Sequence, residues 1–257
     1  MSEQQAKPVI LCFSGHDPVG GAGIQADIEA ISAQGAHAAT IITALTVQDT
    51  RNVQLVEPVS IDILRKTADA VLNDLPIAAF KIGLLGSAET AKCVADIISE
   101  YADIPLVLDP VLAAGGGMEM SNTDLLETIR SELLPLTTIL TPNSLEARHL
   151  TGEEDLDSAA QKLLAMGCQQ VLITGTHEQT HTVHNTLYNS DSQQVFDSER
   201  LSGEYHGSGC TLAASLAARL ALGEDVIDAC RQALLYTEQS LCHSHSPGHG
   251  QSLPGRL

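Results

Sequence analysis

The chain has no tryptophan, and aromatic residues make up only 3% of its 257 positions. An interior without large rings has to be filled by aliphatic side chains and alanine. The hydrophobic share of 44% supplies a sizeable core and excludes a disordered chain. Positive charge is scarce too, with 13 Lys and Arg against 32 Asp and Glu for a net charge of −19. Such a surface argues against nucleic acid, which needs a basic footprint, and against anionic membranes. The acidic residues are spread along the chain, as on a solvated surface and not in an acidic tail. No apolar run approaches the roughly 18 residues of a membrane span. The opening Met1-Ser2-Glu3-Gln4-Gln5-Ala6-Lys7-Pro8 lacks the basic-then-apolar pattern of a secretory signal. Six cysteines without C-x-x-C spacing read as reduced thiols, so a cytoplasmic protein is expected.

What is present is a regular alternation of apolar runs and amphipathic stretches. Pro8 to Phe13, Ala38 to Leu45, Ala78 to Ile82, Leu106 to Leu108, Thr138 to Thr141 and Val171 to Thr174 read as buried strands. Between them lie helices: one with Ile24, Ile28 and Ile31 on one face, one marked by Ile61, Leu64, Ala68, Val71 and Leu72, and one by Ala91, Val94, Ala95 and Ile98. Further helices are expected near 124–134, 145–150 and 158–166. Thr182 to Phe196 alternates around a turn at Asn189-Ser190-Asp191-Ser192, which predicts an antiparallel hairpin. Helices over Ser208 to Leu222 and Val226 to about Leu241 close the chain. No linker interrupts this pattern, so residues 1–257 read as one α/β domain, a mainly parallel sheet covered by helices on both faces.

Ligands of such sheets bind at the carboxyl ends of the strands, where Gly15, Gln48, Gly83, Asp109, Asn143 and Gly175 fall. The segment Gly207-Ser208-Gly209-Cys210 brings glycines to the start of a helix, where free N–H groups and the dipole favour an anion. A cysteine there is expected to ionise more easily than in water; the plainer alternative is a glycine-rich turn with a buried cysteine. The loop Gly15 to Gly23 matches neither the dinucleotide fingerprint nor the P-loop. Asp27 after it is either a dipole-complementing acid or a ligand contact. Asn143 and Glu146 are spaced as a helix-capping pair, or as a phosphate contact and a magnesium carboxylate. The spacing of His243, His245 and His249 fits no helical or tetrahedral metal site.

Six segments occur in order: Gly20-Gly21-Ala22-Gly23-Ile24-Gln25-Ala26-Asp27, Ile42-Thr43-Ala44-Leu45-Thr46-Val47-Gln48-Asp49-Thr50, Lys81-Ile82-Gly83-Leu84-Leu85, Leu108-Asp109-Pro110-Val111, Thr141-Pro142-Asn143-Ser144-Leu145-Glu146-Ala147 and His206-Gly207-Ser208-Gly209-Cys210-Thr211. Together they resemble the hydroxymethylpyrimidine/phosphomethylpyrimidine kinases of thiamine biosynthesis, which have the three-layer α/β/α ribokinase-like fold. The resemblance implies transfer of phosphoryl groups from ATP, with Mg2+, to a small-molecule pyrimidine, by a homodimer. It implies that Gly15, Ala22, Asp27, Gln48 and Val111 line the pyrimidine pocket, with Thr46 and Leu84 as walls. The Gln48 amide suits an aminopyrimidine edge, having both a donor and an acceptor. On the nucleotide side it implies Asn143 and Glu146, the latter reaching the metal through water, with Asp109 beside them as a second carboxylate. Gly207, Ser208, Gly209 and Cys210 become the anion hole, with Cys210 as proton acceptor where most ribokinase-like enzymes have aspartate.

Three stretches depart from the family pattern. Thr174-Gly175-Thr176 stands where a lysine-glycine-glycine is usual, and Ala113-Ala114-Gly115-Gly116-Gly117 lacks a lysine-serine-glycine. Ser202-Gly203-Glu204-Tyr205 replaces a threonine- and asparagine-rich approach to the anion hole. Other readings are a kinase of pyridoxal-type vitamers or sugars on the same fold, and a catalytically weak pyrimidine-binding protein. Cys210 and the Gln48 segment argue against the sugar version.

Overall fold

The computed structural model describes residues 6–112 and 122–257. The aliphatic run Val9–His16 forms β1, and α1 (Gly23–Ala33) returns the chain to β2 (His37–Gln48). Next come β3 (Val53–Pro58), α2 (Ile61–Asp74), β4 (Ile77–Ile82), α3 (Ala88–Ser99) and β5 (Leu106–Leu108). Helix α4 (Thr123–Thr128) winds on through a π turn at Ile129–Leu133 into a 3₁₀ turn at Leu134–Leu136, where Pro135 ends it. Then follow β6 (Ile139–Leu140), α5 (Ser144–Thr151), α6 (Leu156–Ala165), β7 (Gln170–Ile173), the hairpin β8 (Thr182–Tyr188) and β9 (Gln193–Glu199), α7 (Ser208–Ala221) and α8 (Val226–Cys242).

One sheet of nine strands runs in the order β3-β2-β1-β4-β5-β6-β7-β8-β9. Strands β2, β1 and β4 to β7 are parallel, while β3 and the β8–β9 hairpin add antiparallel margins at opposite edges. The expected hairpin and its turn are present, with the Asn189 side chain accepting from the N–H groups of Asp191 and Ser192. Strand β3 was not expected. Its alternation is too brief, and Glu57 and Pro58 end it before an apolar run can form.

The period-2 alternation of the strands divides the core into two layers. Val9, Leu11 and Phe13 of β1, with Phe80 and Ile82 of β4, pack under α2 to α6. Ile10 and Cys12, with Ala79 and Val107, face α1, α7 and α8. The second layer is thin because α7 offers Ala213, Ala214, Ala217 and Ala218, all fully buried, so the helix lies close to the sheet. Helix α1 buries Ala26, Asp27, Ala30 and Ile31, which leaves Ile28 at 43% exposure instead of on the expected apolar face. All six cysteines are free, four of them buried. No helix among the described residues is long and apolar enough to cross a membrane.

Candidate active site

Two glycine-bearing loops meet above the carboxyl edge, one after β1 and the other before α7. Asp17 organises the first: Oδ1 accepts from the Val19 N–H at 2.9 Å and Oδ2 from the Ala22 N–H at 2.8 Å. His206 crosses from the second loop, with Nε2 at 2.9 Å from Asp17 Oδ2. Burial alone would raise the Asp17 carboxyl, but the His206 bond and the two N–H groups outweigh it and hold it below its ordinary value. Gly207 caps α7 at φ +87°, and a side chain there would run into the Gly21 carbonyl oxygen. A Cβ on Gly21 would in turn strike the His206 ring. These glycines permit backbone-to-backbone contact between the loops.

Beneath that contact lies a buried charge cluster. The alternation of β4 turns Lys81 away from Phe80 and Ile82 towards α1 and α7. Its Nζ lies 2.8 Å from Asp27 Oδ1, with both side chains fully enclosed, and 3.0 Å from Ser14 Oγ. A Cβ on Gly83 would come within 2.7 Å of that ammonium, so the glycine leaves room for it. Burial would lower the Lys81 pKa, but Asp27 first, then Cys210 and Asp109, overcome this and keep the ammonium charged. Asp27, expected on the pocket wall, is thus enclosed beside Lys81, and its Oδ2 has no hydrogen-bond partner among the described residues.

Cys210 sits in the first turn of α7, within the field of Lys81, Asp109 and Asp27. The Asp109 carboxylate and the Gly23 backbone lie close enough to act on the thiol. The expected easier ionisation is not what this surrounding produces. Burial pushes the thiol up to about 12, Asp109 and Asp27 add to the rise, and Lys81 with the Gly23 N–H recovers only part. Desolvation and two carboxylates outweigh the helix end, so Cys210 rests as a thiol.

Asp109 follows β5, and Gly209 is so close that a Cβ there would be 3.7 Å from Asp109 Oδ2. Asn143 and Glu146 form the full capping box of α5: Asn143 Oδ1 accepts from the Glu146 N–H at 2.9 Å, and Glu146 Oε2 from the Asn143 N–H at 3.0 Å. Glu146 Oε1 also accepts from the Leu112 N–H at 3.2 Å. Burial raises both carboxyls. Asp27 pushes Asp109 further, against Lys81, and Asp109 pushes Glu146 further. Two mutually repelling buried carboxylates fit a hydrated hard dication, which keeps its waters and takes only one or two protein carboxylates.

The remaining expected pocket residues lie at the ends of β1 and β2 and just after β4 and β5. A Cβ on Gly15 would be 2.9 Å from Leu84 Cδ2, so the end of β1 touches the Leu84 wall. Thr46 Oγ1 donates to the His16 carbonyl at 3.0 Å, while Gln48 ends β2 with its side chain partly exposed. Val111 has φ +28°, the one positive value among described non-glycine residues and a strained conformation for a β-branched side chain. At Thr174-Gly175-Thr176 the loop is held by Arg200, whose guanidinium donates to the carbonyls of Thr176 (2.6 Å), Thr180 (2.7 Å) and Glu178 (2.8 Å). Arg200 is therefore occupied by backbone and does not stand in for the missing lysine. Residues 113–117, the second departure, lie outside the described residues.

The family model described as phosphomethylpyrimidine kinase matches residues 17–254. The chain belongs to the phosphomethylpyrimidine kinase family. It is 38% identical, over 98% of both chains, to the hydroxymethylpyrimidine/phosphomethylpyrimidine kinase of Synechococcus elongatus. Among solved structures, an ADP complex of Bacillus subtilis pyridoxal kinase matches with a TM-score of 0.91 at 29% identity, covering 98% of each chain. The phosphomethylpyrimidine kinase of Clostridium difficile matches at 0.80 and 31%, covering 91% of this chain and 100% of its own. The three-layer ribokinase-like fold and a phosphotransferase activity follow from this membership.

Four residues of this family member are not singled out by the sequence. Lys81 carried a signal, as a lone charge in an otherwise apolar strand. Asp17 and His206 lie in glycine loops where either could be plain turn residues. Arg256 lies past the last helix and gave no signal. For the buried pair, Lys81→Met should lower the unfolding free energy by about 3–5 kcal/mol, since it strands the Asp27 charge. The Lys81→Met/Asp27→Asn double variant should recover part of that loss. Urea titration checks this, and a Lys81→Met protein as stable as the parent would dismiss the pair.

Proposed function

We propose that this chain transfers the γ-phosphoryl group of ATP to the hydroxymethyl oxygen of 4-amino-5-hydroxymethyl-2-methylpyrimidine. It then phosphorylates the monophosphate to the diphosphate, within thiamine biosynthesis. The observation that carries this reading is Cys210 in the first turn of α7, beside the Asp109 carboxylate and flanked by the contacting glycine loops.

Phosphoryl transfer asks the protein for positioning and for stabilisation of charge. The N–H groups of Ser208, Gly209 and Cys210 face the open end of α7, where an anionic phosphoryl group is favoured. Asp109 and Glu146 would hold Mg2+, Glu146 through water, and the ion would neutralise phosphate charge. Asn143 serves the nucleotide side while capping α5. Gly15, Ala22, Thr46, Gln48, Leu84 and Val111 enclose the pyrimidine, and Asp27 acts from below by keeping Lys81 in place. As the new O–P bond forms and the bond to the ADP oxygen breaks, the hydroxyl proton leaves towards Cys210 Sγ. The thiol hydrogen passes at the same time to Asp109. A thiol beside a carboxylate able to take its hydrogen needs no prior ionisation for this relay. In the second step the acceptor is an anionic phosphate, and the relay matters less.

A second reading, a pyridoxal-type kinase, is favoured by the likeness to the Bacillus subtilis enzyme. Side-by-side assays with ATP decide: hydroxymethylpyrimidine should be consumed faster than pyridoxal, with mono- and then diphosphate formed. Faster turnover of pyridoxal would replace the first reading with the second, and pyrimidine binding without ATP consumption would remove both. Cys210→Ala should slow the first phosphorylation by about 10²–10⁴-fold while affecting the second less. Equal turnover of the free alcohol by variant and parent would take Cys210 out of the reaction.

We further read residues 1–257 as one catalytic unit, since a single sheet runs from Val9 to Glu199 with α7 and α8 packed on it, and the free cysteines support a cytoplasmic setting. A homodimer is supported by the outer face of the β2–β3 ribbon. Leu45, Val47 and Leu55 are exposed there at 49%, 52% and 50%, and Val47 pairs directly with Leu55. Such a patch is unusual on a monomer. Val47→Asp/Leu55→Asp should sediment as a monomer where the parent sediments as a dimer; equal sedimentation of the two would show that the ribbon is not the contact.

A further inference from the structure

The family match ends at residue 254, yet the chain continues to one of its most enclosed charges. Arg256 is 4% exposed although it stands next to the terminal residue. The tail reaches it by a fixed route. The Ser252 carbonyl accepts from the His206 N–H at 2.9 Å, and Leu253 lies buried against Gly21. The Gly255 N–H donates to the Ser240 carbonyl at 2.9 Å, and the Tyr236 hydroxyl donates to the Arg256 carbonyl at 2.8 Å.

The guanidinium points in three directions. NH2 donates to the Gly21 carbonyl, Nε to Thr211 Oγ1 at 2.9 Å, and NH1 to Glu29 Oε2 at 3.1 Å. Thr211 is itself engaged: its hydroxyl donates to the Gly207 carbonyl at 2.7 Å, and its N–H donates to the same oxygen at 3.0 Å. A peptide plane whose carbonyl is fixed has its N–H fixed on the opposite side. Through Thr211, Arg256 therefore orients the Gly207–Ser208 peptide, whose N–H opens the anion hole. Through Gly21 it orients the Gly21–Ala22 peptide, whose N–H donates to Asp17.

We propose that Arg256 is a positioning residue for phosphoryl transfer, holding the two glycine loops in register from behind the site. The loops are in backbone contact, so a shift of either moves the amides that face the phosphoryl group. A planar fork with several fixed donors suits this task, and an ammonium with one position does not. The inference rests on the reading of Gly207 to Cys210 as the anion hole.

The test compares kcat and KM for hydroxymethylpyrimidine phosphorylation in Arg256→Ala, Arg256→Lys, Glu29→Gln and the parent, well below their melting temperatures. Displacement of a reacting group by about 1 Å costs on the order of 10²-fold, so Arg256→Ala should lose about 10–100-fold in kcat with KM for the pyrimidine little changed. Arg256→Lys should fall between it and the parent, and Glu29→Gln should match the parent. Added methylguanidinium should restore turnover to Arg256→Ala, which a general loss of stability would not permit. Unchanged kcat in Arg256→Ala, or a loss confined to KM, overturns the proposal. If the alanine variant does not fold, Arg256→Lys decides alone, and full turnover there overturns it. Gly207→Ala, whose Cβ would run into the Gly21 carbonyl and displace the amides at the start of α7, separates the two levels. If it loses turnover while Arg256→Ala keeps it, the positioning inference falls and the anion hole stands; if both keep turnover, the anion hole itself is misassigned.

Discussion

The site is built over one desolvated ion pair, Lys81 with Asp27. A charged pair inside an aliphatic sandwich is not retained for stability, because removing two ions from water costs about as much as their attraction returns. Here the pair constrains everything near it. It requires Gly83, since a side chain there would crowd the ammonium, and it engages the Ser14 hydroxyl. It also sets the field felt by Cys210 and Asp109, the two groups nearest the proposed chemistry. Lys81 draws the thiol down while Asp27 pushes it up, and burial exceeds either.

That balance changes how the cysteine is understood. Viewed alone, a thiol in the first turn of a helix should be acidic, because the dipole favours a negative sulfur. In the folded protein the same thiol lies in the field of two carboxylates, and losing water outweighs the dipole. What remains useful is its place beside the Asp109 carboxylate. A thiol paired with a carboxylate can take a proton from an alcohol while giving up its own, provided the loops hold all three groups still.

Much of this architecture was legible in the order of residues. Strand ends carry their polar residues in the chain itself, so Gly15, Gln48, Asp109 and Asn143 could be assigned to one edge. The capping box of Asn143 and Glu146 is a local device, and local devices read directly from spacing. Other features depend on what packs against what. Strand β3 was missed because Glu57 and Pro58 interrupt its pattern and Leu55 faces outward while Val53 is buried. Ile28 was assigned to the wrong face because the buried stripe of α1 runs through Ala26, Asp27 and Ala30 instead. The rise in the Cys210 pKa depends on neighbours from three other elements. Arg256 was invisible because a tail of glycine, proline and histidine gives no sign of where it docks.

The acidic composition posed a problem of its own, namely how such a protein receives a polyphosphate. Several of its few cations answer carboxylates at the surface, as Arg148 does with Glu178, Lys162 with Glu153, and Arg65 with Asp96. Arg200 is engaged by loop carbonyls, and Lys81 and Arg256 are enclosed behind the site. In the proposed reading, the positive potential offered to phosphate comes from aligned amides at the start of α7 and from a bound dication. Amides are only as good as their orientation, whereas a lysine can swing to find its target. A kinase that relies on amides in this way needs rigid loops. The bond from His206 to Asp17, the glycines that admit backbone contact, and the buried terminal arginine all serve that rigidity.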